Sequence, residues 1–403
     1  MQNKSISQLE FVALMASLMS VVALAIDALL PALNIISSSL NVIDSRDNQL
    51  LIIFIFIGLG IGPLLFGPLS DSLGRKPLVY AGFAIFIFAS FICVSSESLE
   101  IMLLGRLLQG VGLSGPRTIS ISIIRDTYSG NYMARIMSFV TVIFILVPIV
   151  APAIGKLILD SYGWEYIFYI QLIFTVLIAI WFYIRQPETL LLKNKIKFTS
   201  TQFISSSKEL LKYKDTIGFT IISGFITGSF MVYLSTAQQI FENQYQMVNE
   251  FPYIFAGLAV SVGSATFLNG TLVVKLGMER IVTIALSLFS LNSFIYVVLF
   301  SMGINPSIYV LLIFFFIQFF SIGFLFGNIR ALAMQPVGHI AGMGAAITGF
   351  ISTLMAVPIS IYIGRNITTS ALPLFVGFLI CGSISIVVLL FIKKTRLKLK
   401  FSE

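Results

Sequence analysis

The chain has 403 residues, of which 57% are hydrophobic and only 10% charged. No water-soluble domain can cover its surface with that composition, which excludes soluble enzymes and soluble binding modules. The formal charge of +8 sits on Lys and Arg residues that flank apolar blocks, so it reports orientation in a membrane and contact with anionic lipid, not affinity for nucleic acid.

Apolar blocks of the ~20 residues needed to cross ~30 Å of hydrocarbon recur along the chain. They predict twelve spans, at 11–35, 50–69, 78–96, 99–124, 136–159, 165–185, 216–238, 252–273, 281–301, 306–330, 340–364 and 371–392. The first span is read as retained rather than cleaved, because it lacks a small-residue cleavage site and carries Asp27 and Pro31 in its second half. Asp27 is the only carboxylate lying well inside a predicted span. A charge there costs at least about 2.5–3.5 kcal/mol, and such groups usually line proton, ion or substrate paths. A structural acid that stays neutral or caps a neighbouring helix is the plain alternative.

Span 4 carries two arginines. Arg106 and Arg117 are separated by close to three helical turns, so they share a face, with Gln109, Gly110 and Ser114 on or beside it. That stripe is expected to face a central cavity rather than lipid. Snorkelling of Arg117 to the inner surface and a purely structural Arg106 are the alternatives. Arg106 lies about 10 Å below the outer end of span 4 and Asp27 about 12 Å below that of span 1, so the two charges sit at matched depth. Cys93 and Cys381 both fall in apolar spans, which implies no disulfide framework. With a lone His339 and one intramembrane carboxylate, neither a metal nor a cofactor is expected.

Placing both termini in the cytoplasm puts 20 of the 25 Lys and Arg residues on the inner side, with only Arg46, Lys156 and Arg365 outside. The chain divides into a six-span half (1–185), a polar linker (186–215) and a second six-span half with a basic tail (216–403). Within the linker, residues 203–211 are expected to form a short amphipathic helix on the inner surface. The halves echo one another: Gly67, Leu73 and Gly74 recur as Gly270, Leu276 and Gly277, all at an offset of 203. Two related six-span halves imply a pseudo-two-fold axis along the membrane normal, with a substrate site between them near the midplane.

The stretch Gly67-Pro68-Leu69-Ser70-Asp71-Ser72-Leu73-Gly74-Arg75-Lys76-Pro77 resembles the loop motif between spans 2 and 3 of the major facilitator superfamily. Arg106-Leu107-Leu108-Gln109-Gly110 is similar to the Arg-x-x-Gln-Gly motif of its proton-coupled members. Asp27-Ala28-Leu29-Leu30-Pro31 resembles the drug:proton antiporters of the bicyclomycin- and chloramphenicol-resistance branch, and Phe267-Leu268-Asn269-Gly270 and Arg125-Asp126 fit the same branch. The resemblance implies an all-α membrane protein of twelve helices in two pseudo-symmetric halves, monomeric, in the cytoplasmic membrane of a bacterium. One departure is visible. Span 5 keeps Pro148, Pro152 and Gly155 of the antiporters' pattern but has Ala151 and Lys156 in place of its first and last glycines. The kink is expected to survive, while the export direction that the full pattern marks is less firmly implied.

On this reading Asp27 exchanges protons with Arg106 tuning it, and protons and a small-molecule substrate are the partners. The cavity is expected to be lined by Met19, Ala23, Phe230 and Tyr233, with Gln109 and Arg117 as polar contacts; Met19 and Ala23 lie two turns and one turn before Asp27 on its face. Gly67, Asp71, Gly74, Arg75 and Asp126 are expected to form a gating latch on the inner face. Arg75 would pair with Asp126, and Asp71 would cap span 11 near residues 342–344. The second half has Val274 where Asp71 stands, so the latch is expected to be lopsided. Two other functions stay open at this point: export or exchange of an anionic metabolite such as a carboxylate siderophore, favoured by the extra cation Arg117, and a transport-dead sensor of the same fold. Gly112-Leu113-Ser114-Gly115 also matches the Gly-x-Ser-Gly of rhomboid-type intramembrane proteases. Its serine needs a histidine base, and His339 is predicted at the inner end of span 11, far from Ser114 midway down span 4.

Overall fold

The structure is a computed structural model that describes residues 6–191, 195, 200–302 and 305–400. Every regular element among them is helical. Span 1 comprises α1 (Gln8–Asp27), a 3-10 turn (Leu30–Ala32) and α2 (Leu33–Ser39). Spans 2 to 6 are α3 (Leu50–Leu73), α4 (Arg75–Val94), α5 (Leu99–Thr127), α6 (Gly130–Tyr162) and α7 (Glu165–Arg185). The short α8 (Ser200–Leu210) falls where the amphipathic helix was expected, although the side chains of residues 200–204 lie outside the described ones. Spans 7 to 12 are α9 (Lys214–Gln238), α10 (Phe251–Leu276), α11 (Met278–Phe300), α12 (Ile308–Met334), α13 (Ala341–Gly364) and α14 (Leu372–Lys400). Lys4, Lys193 and Lys197 of the charge pattern lie outside the described residues, as does the side chain of His339.

Among the described residues, 11 helical stretches are long and apolar enough to cross a membrane. The twelfth, α5, is less apolar because it carries Arg106, Gln109 and Arg117, yet its 29 residues measure about 43 Å at 1.5 Å per residue. The sequence places the end of span 7 at 238, whereas the structure continues it as a π-helical segment, Gln239–Gln244. The wider turn carries the buried Glu242 into the end of the span, where it accepts a hydrogen bond from Gln238 Nε2 (2.8 Å). Asp27 is therefore joined by a second buried carboxylate.

The chain separates into two compact units, residues 1–199 and 200–403. In the first, α5 packs against α3 and α4. Their backbones come closest at Gly110, where an added Cβ would stand 2.1 Å from the Ile55 carbonyl oxygen of α3; only glycine lets two helix backbones come this near. The core of the second unit is aromatic, with Tyr233 against Phe255, Phe315 and Phe319, and Tyr296 stacked on Phe375 at 3.7 Å.

The repeat seen in the sequence is present in the bonding. Gly74 (φ 124°) and Gly277 (φ 78°) open α4 and α11 in backbone conformations that L side chains rarely adopt. Gln109 of α5 donates to Ser90 Oγ of α4 (2.7 Å), and Gln318 of α12 donates to Ser293 Oγ of α11 (2.9 Å). Ser90 and Ser293 lie 203 residues apart. Each glutamine oxygen also accepts a bond, but from a cation in one unit and an amide in the other: Arg106 Nη1 (2.8 Å) and Asn292 Nδ2 (2.6 Å).

Candidate functional site

Span 1 breaks at its acid. Pro31 has no N–H to offer the Asp27 carbonyl four residues back, so the α-helix cannot run through. The chain tightens instead: Leu29 N–H bonds to Ile26 O (3.3 Å) and Ala32 N–H to Leu29 O (2.9 Å). Asp27, 5% exposed, is the last residue of α1. Among the described residues its carboxyl makes no hydrogen bond and no ion pair.

The broken turn is held from two sides through its backbone. Arg106 of α5 is wholly buried and donates to Ala25 O (3.1 Å), Leu51 O of α3 (2.9 Å) and Gln109 Oε1 (2.8 Å). Its remaining terminal nitrogen, Nη2, is buried without a partner. Gln171 of α7 donates to Leu24 O (3.3 Å). The charges at matched depth do sit on neighbouring helices, but Arg106 engages the carbonyl two residues before Asp27 rather than the carboxylate. The tightened turn explains this, because it turns the Leu29 N–H away from Ala25 O and leaves that oxygen for the guanidinium. Gln109, wholly buried and bonded at both ends of its amide, braces α5 to α4 instead of facing open space.

Span 5 closes the site. Pro148 and Pro152 lie inside α6. Gly155, one turn beyond, meets the backbone at Ala28, with 1.9 Å between its built Cβ and the Ala28 carbonyl oxygen. Lys156, the departure from the antiporter pattern, directs its charge along the helix to Asp160 (2.6 Å).

A second polar cluster lies where α3 turns into α4. Arg75, 3% exposed, donates to Asp126 Oδ2 (2.8 Å), Asp71 Oδ1 (2.5 Å) and Ser70 Oγ (2.8 Å). Glu188, just past α7, accepts the Arg75 and Lys76 backbone N–H groups (3.0 Å each), capping α4. Thr189 Oγ1 donates to Asp126 (3.1 Å). A cavity of about 480 Å³ opens between Asp71, Arg125, Asp126 and residues 189–191. Burial disfavours the Glu188 charge, but N–H donors from Leu190, Lys76, Arg75 and Thr189 outweigh it and hold the carboxyl below the usual carboxylate range. Gly74 makes the tight turn, and a Cβ there would crowd Glu188 Oε2 at 2.9 Å. The close approach expected at Gly67 is not made: a Cβ added there would meet nothing within 4 Å.

The expected substrate contacts divide between the units. In the first, Ala23 is buried while Met19 and Arg117 are half-buried. In the second, Phe230 packs edge-on to Phe319 and Phe326 and beside Tyr233. Ser114 donates to its own helix at Val111 O (2.6 Å), which does not prepare it as a nucleophile.

Sequence reasoning missed Gln171, Glu188 and Glu242. Gln171 is a lone amide in an apolar span, which is a legible signal; Glu188 opens the polar linker, where a carboxylate gives none. Glu242 had none, because it falls beyond the apolar block.

Residues 15–361 match the profile of the Major Facilitator Superfamily. The chain is 29% identical to an uncharacterized MFS-type transporter, YdgK, of Bacillus subtilis over 352 residues, 86% of each chain. It is 28% identical to a bicyclomycin resistance protein homolog of Haemophilus influenzae over 65% of this chain and 66% of that one. It is 32% identical to the multidrug resistance protein MdtL of Salmonella typhimurium over 36% of each. Among solved structures, a D-xylose–proton symporter superposes with a TM-score of 0.72 at 16% identity, covering 94% of this chain and 95% of that one. The human organic anion transporter MFSD10 superposes with a TM-score of 0.66 at 16% identity, covering 95% and 99%. These likenesses establish the fold.

Proposed function

The chain belongs to the Major Facilitator Superfamily of membrane transporters, and we propose that it exports small organic compounds in exchange for protons by alternating access, in the cytoplasmic membrane of a bacterium with both termini inside. The observation that carries this reading is the buried Asp27 carboxyl at the break of span 1, free of hydrogen bonds and ion pairs among the described residues. A carboxyl in such a place binds or releases a proton when its surroundings change slightly. Arg106 and Gln171 grip the two carbonyls just before it, so a shift of α5 or α7 is transmitted to Asp27 through the backbone.

In the first unit Met19 and Ala23 share the Asp27 face and, with Arg117, are its substrate contacts; in the second unit the substrate contacts are Phe230 and Tyr233. Soft apolar and aromatic walls tolerate varied ligands. The relatives named for bicyclomycin resistance and multidrug resistance support an organic substrate and outward transport, and the Pro148, Pro152 and Gly155 pattern of span 5 supports the same direction. Asp71, Arg75 and Asp126 act as the latch of the transport cycle.

Substrate-dependent proton movement, followed with a pH-sensitive dye in proteoliposomes over a chemically diverse panel, tests the reading. Compounds that bind should move protons opposite to themselves. Binding without proton movement across the whole panel would overturn it.

A further inference from the structure

The two repeats treat one position differently. In the first unit, the start of α4 after Gly74 is filled by an internal anion, the Glu188 carboxylate, which accepts the N–H groups of Arg75 and Lys76. The equivalent position 203 residues on is the start of α11 after Gly277. There the turn opens onto space: a Cβ on Gly277 would meet nothing within 4 Å, where one on Gly74 would meet Glu188 Oε2 at 2.9 Å. A cavity of about 720 Å³ lies there, lined by Arg280 and Lys393. Lys393 of α14 is held at the cavity by its bond to Thr283 Oγ1 (2.9 Å), and Thr283 is anchored in turn to Glu279 O (2.8 Å). Glu279 also lines the cavity, and the two cations outnumber its carboxylate.

We infer that this cavity binds a phosphate group through Arg280 and Lys393. The cations come from two helices that are distant in sequence, so the site is built by the fold rather than by a run of basic residues. It lies at the end of spans 8 and 9 that the charge asymmetry assigns to the cytoplasm, the level at which basic pockets between helices take up anionic headgroups. The phosphate arrives either on an anionic phospholipid or free in solution. The site is separate from Asp27 and independent of the proton-coupled reading.

Native mass spectrometry of the full chain in detergent tests the inference, with phosphatidylglycerol, phosphatidylcholine and inorganic phosphate as probes. The wild type should retain phosphatidylglycerol over phosphatidylcholine by about tenfold or more, since each cation contributes about 1 kcal/mol near an anionic headgroup. R280Q/K393Q should lose the preference, and R280K/K393R, which keeps both charges, should retain it. That pattern assigns the phosphate to lipid. A thermal shift with inorganic phosphate over chloride, present in the wild type and absent in R280Q/K393Q, without a lipid preference, assigns it to free phosphate. Equal behaviour of wild type and R280Q/K393Q toward both probes, with both proteins monodisperse, would overturn the site.

Discussion

Gly155 of α6 lies against the backbone of Ala28, so close that a Cβ built on it would stand 1.9 Å from the Ala28 carbonyl oxygen. The proline-bearing helix of span 5 is thereby seated on the broken turn of span 1, one residue past Asp27. The Pro148, Pro152 and Gly155 pattern of span 5 and the Asp27–Pro31 pattern of span 1 thus meet in a single backbone contact.

Gly155→Ala should therefore be damaging although it adds one methyl group. The clash is with backbone, which cannot rotate away, and overpacking of this kind costs about 1–3 kcal/mol. We expect a lower melting temperature in detergent together with loss of proton-driven efflux. Gly257→Ala in α10 is the control: nothing lies within 4 Å of its Cβ, and removing a helical glycine there should leave stability unchanged or raise it by about 0.5–1 kcal/mol.

Arg106→Lys keeps the charge and should still fail. The guanidinium bonds acceptors on three helices, Ala25 O, Leu51 O and Gln109 Oε1, and an ammonium on a flexible stem cannot reproduce that planar fork. Each acceptor left buried and unmatched costs about 1–3 kcal/mol. The expected result is a drop in thermal stability and uncoupled transport; wild-type melting and coupling in Arg106→Lys would show that charge alone suffices.

Glu188 predicts a pH dependence on the strap that follows α7. Its carboxyl is held below the ordinary value of 4.5 by backbone donors. A depressed carboxyl pKa gives stabilisation that is fully present above the ordinary value and is lost as pH falls through the depressed one. Hydrogen exchange at the Arg75 and Lys76 amides should stay protected from neutral pH down to about pH 4.5 and open below it. Glu188→Gln should exchange faster at neutral pH and lose the acid transition. Identical exchange profiles in the two proteins would remove Glu188 as the cap.

The twelve spans and the placement of Asp27 inside the first were legible in the sequence, because apolar length and a lone acid are one-dimensional signals. The break after Asp27 was half legible: Pro31 marks it, but the turn it forces depends on what waits at the freed Ala25 carbonyl. Matched depth pointed Arg106 toward Asp27, and depth says nothing about which atom a side chain meets. Glu188 sits in a polar linker, where a carboxylate that caps a distant helix reads like any solvated charge. Glu242 needed the π-helical continuation of span 7, a change of register that no apolar count contains.

The central claim is that Asp27 carries the coupled proton, and the most direct test compares wild type with Asp27→Asn in proteoliposomes loaded with one transported compound. Asparagine keeps the shape and removes the titration. The account predicts that Asp27→Asn exchanges substrate down its gradient at a measurable rate but neither accumulates it against a gradient under an imposed pH difference nor moves protons with it. Uphill, pH-driven transport by Asp27→Asn at the wild-type level would contradict the account.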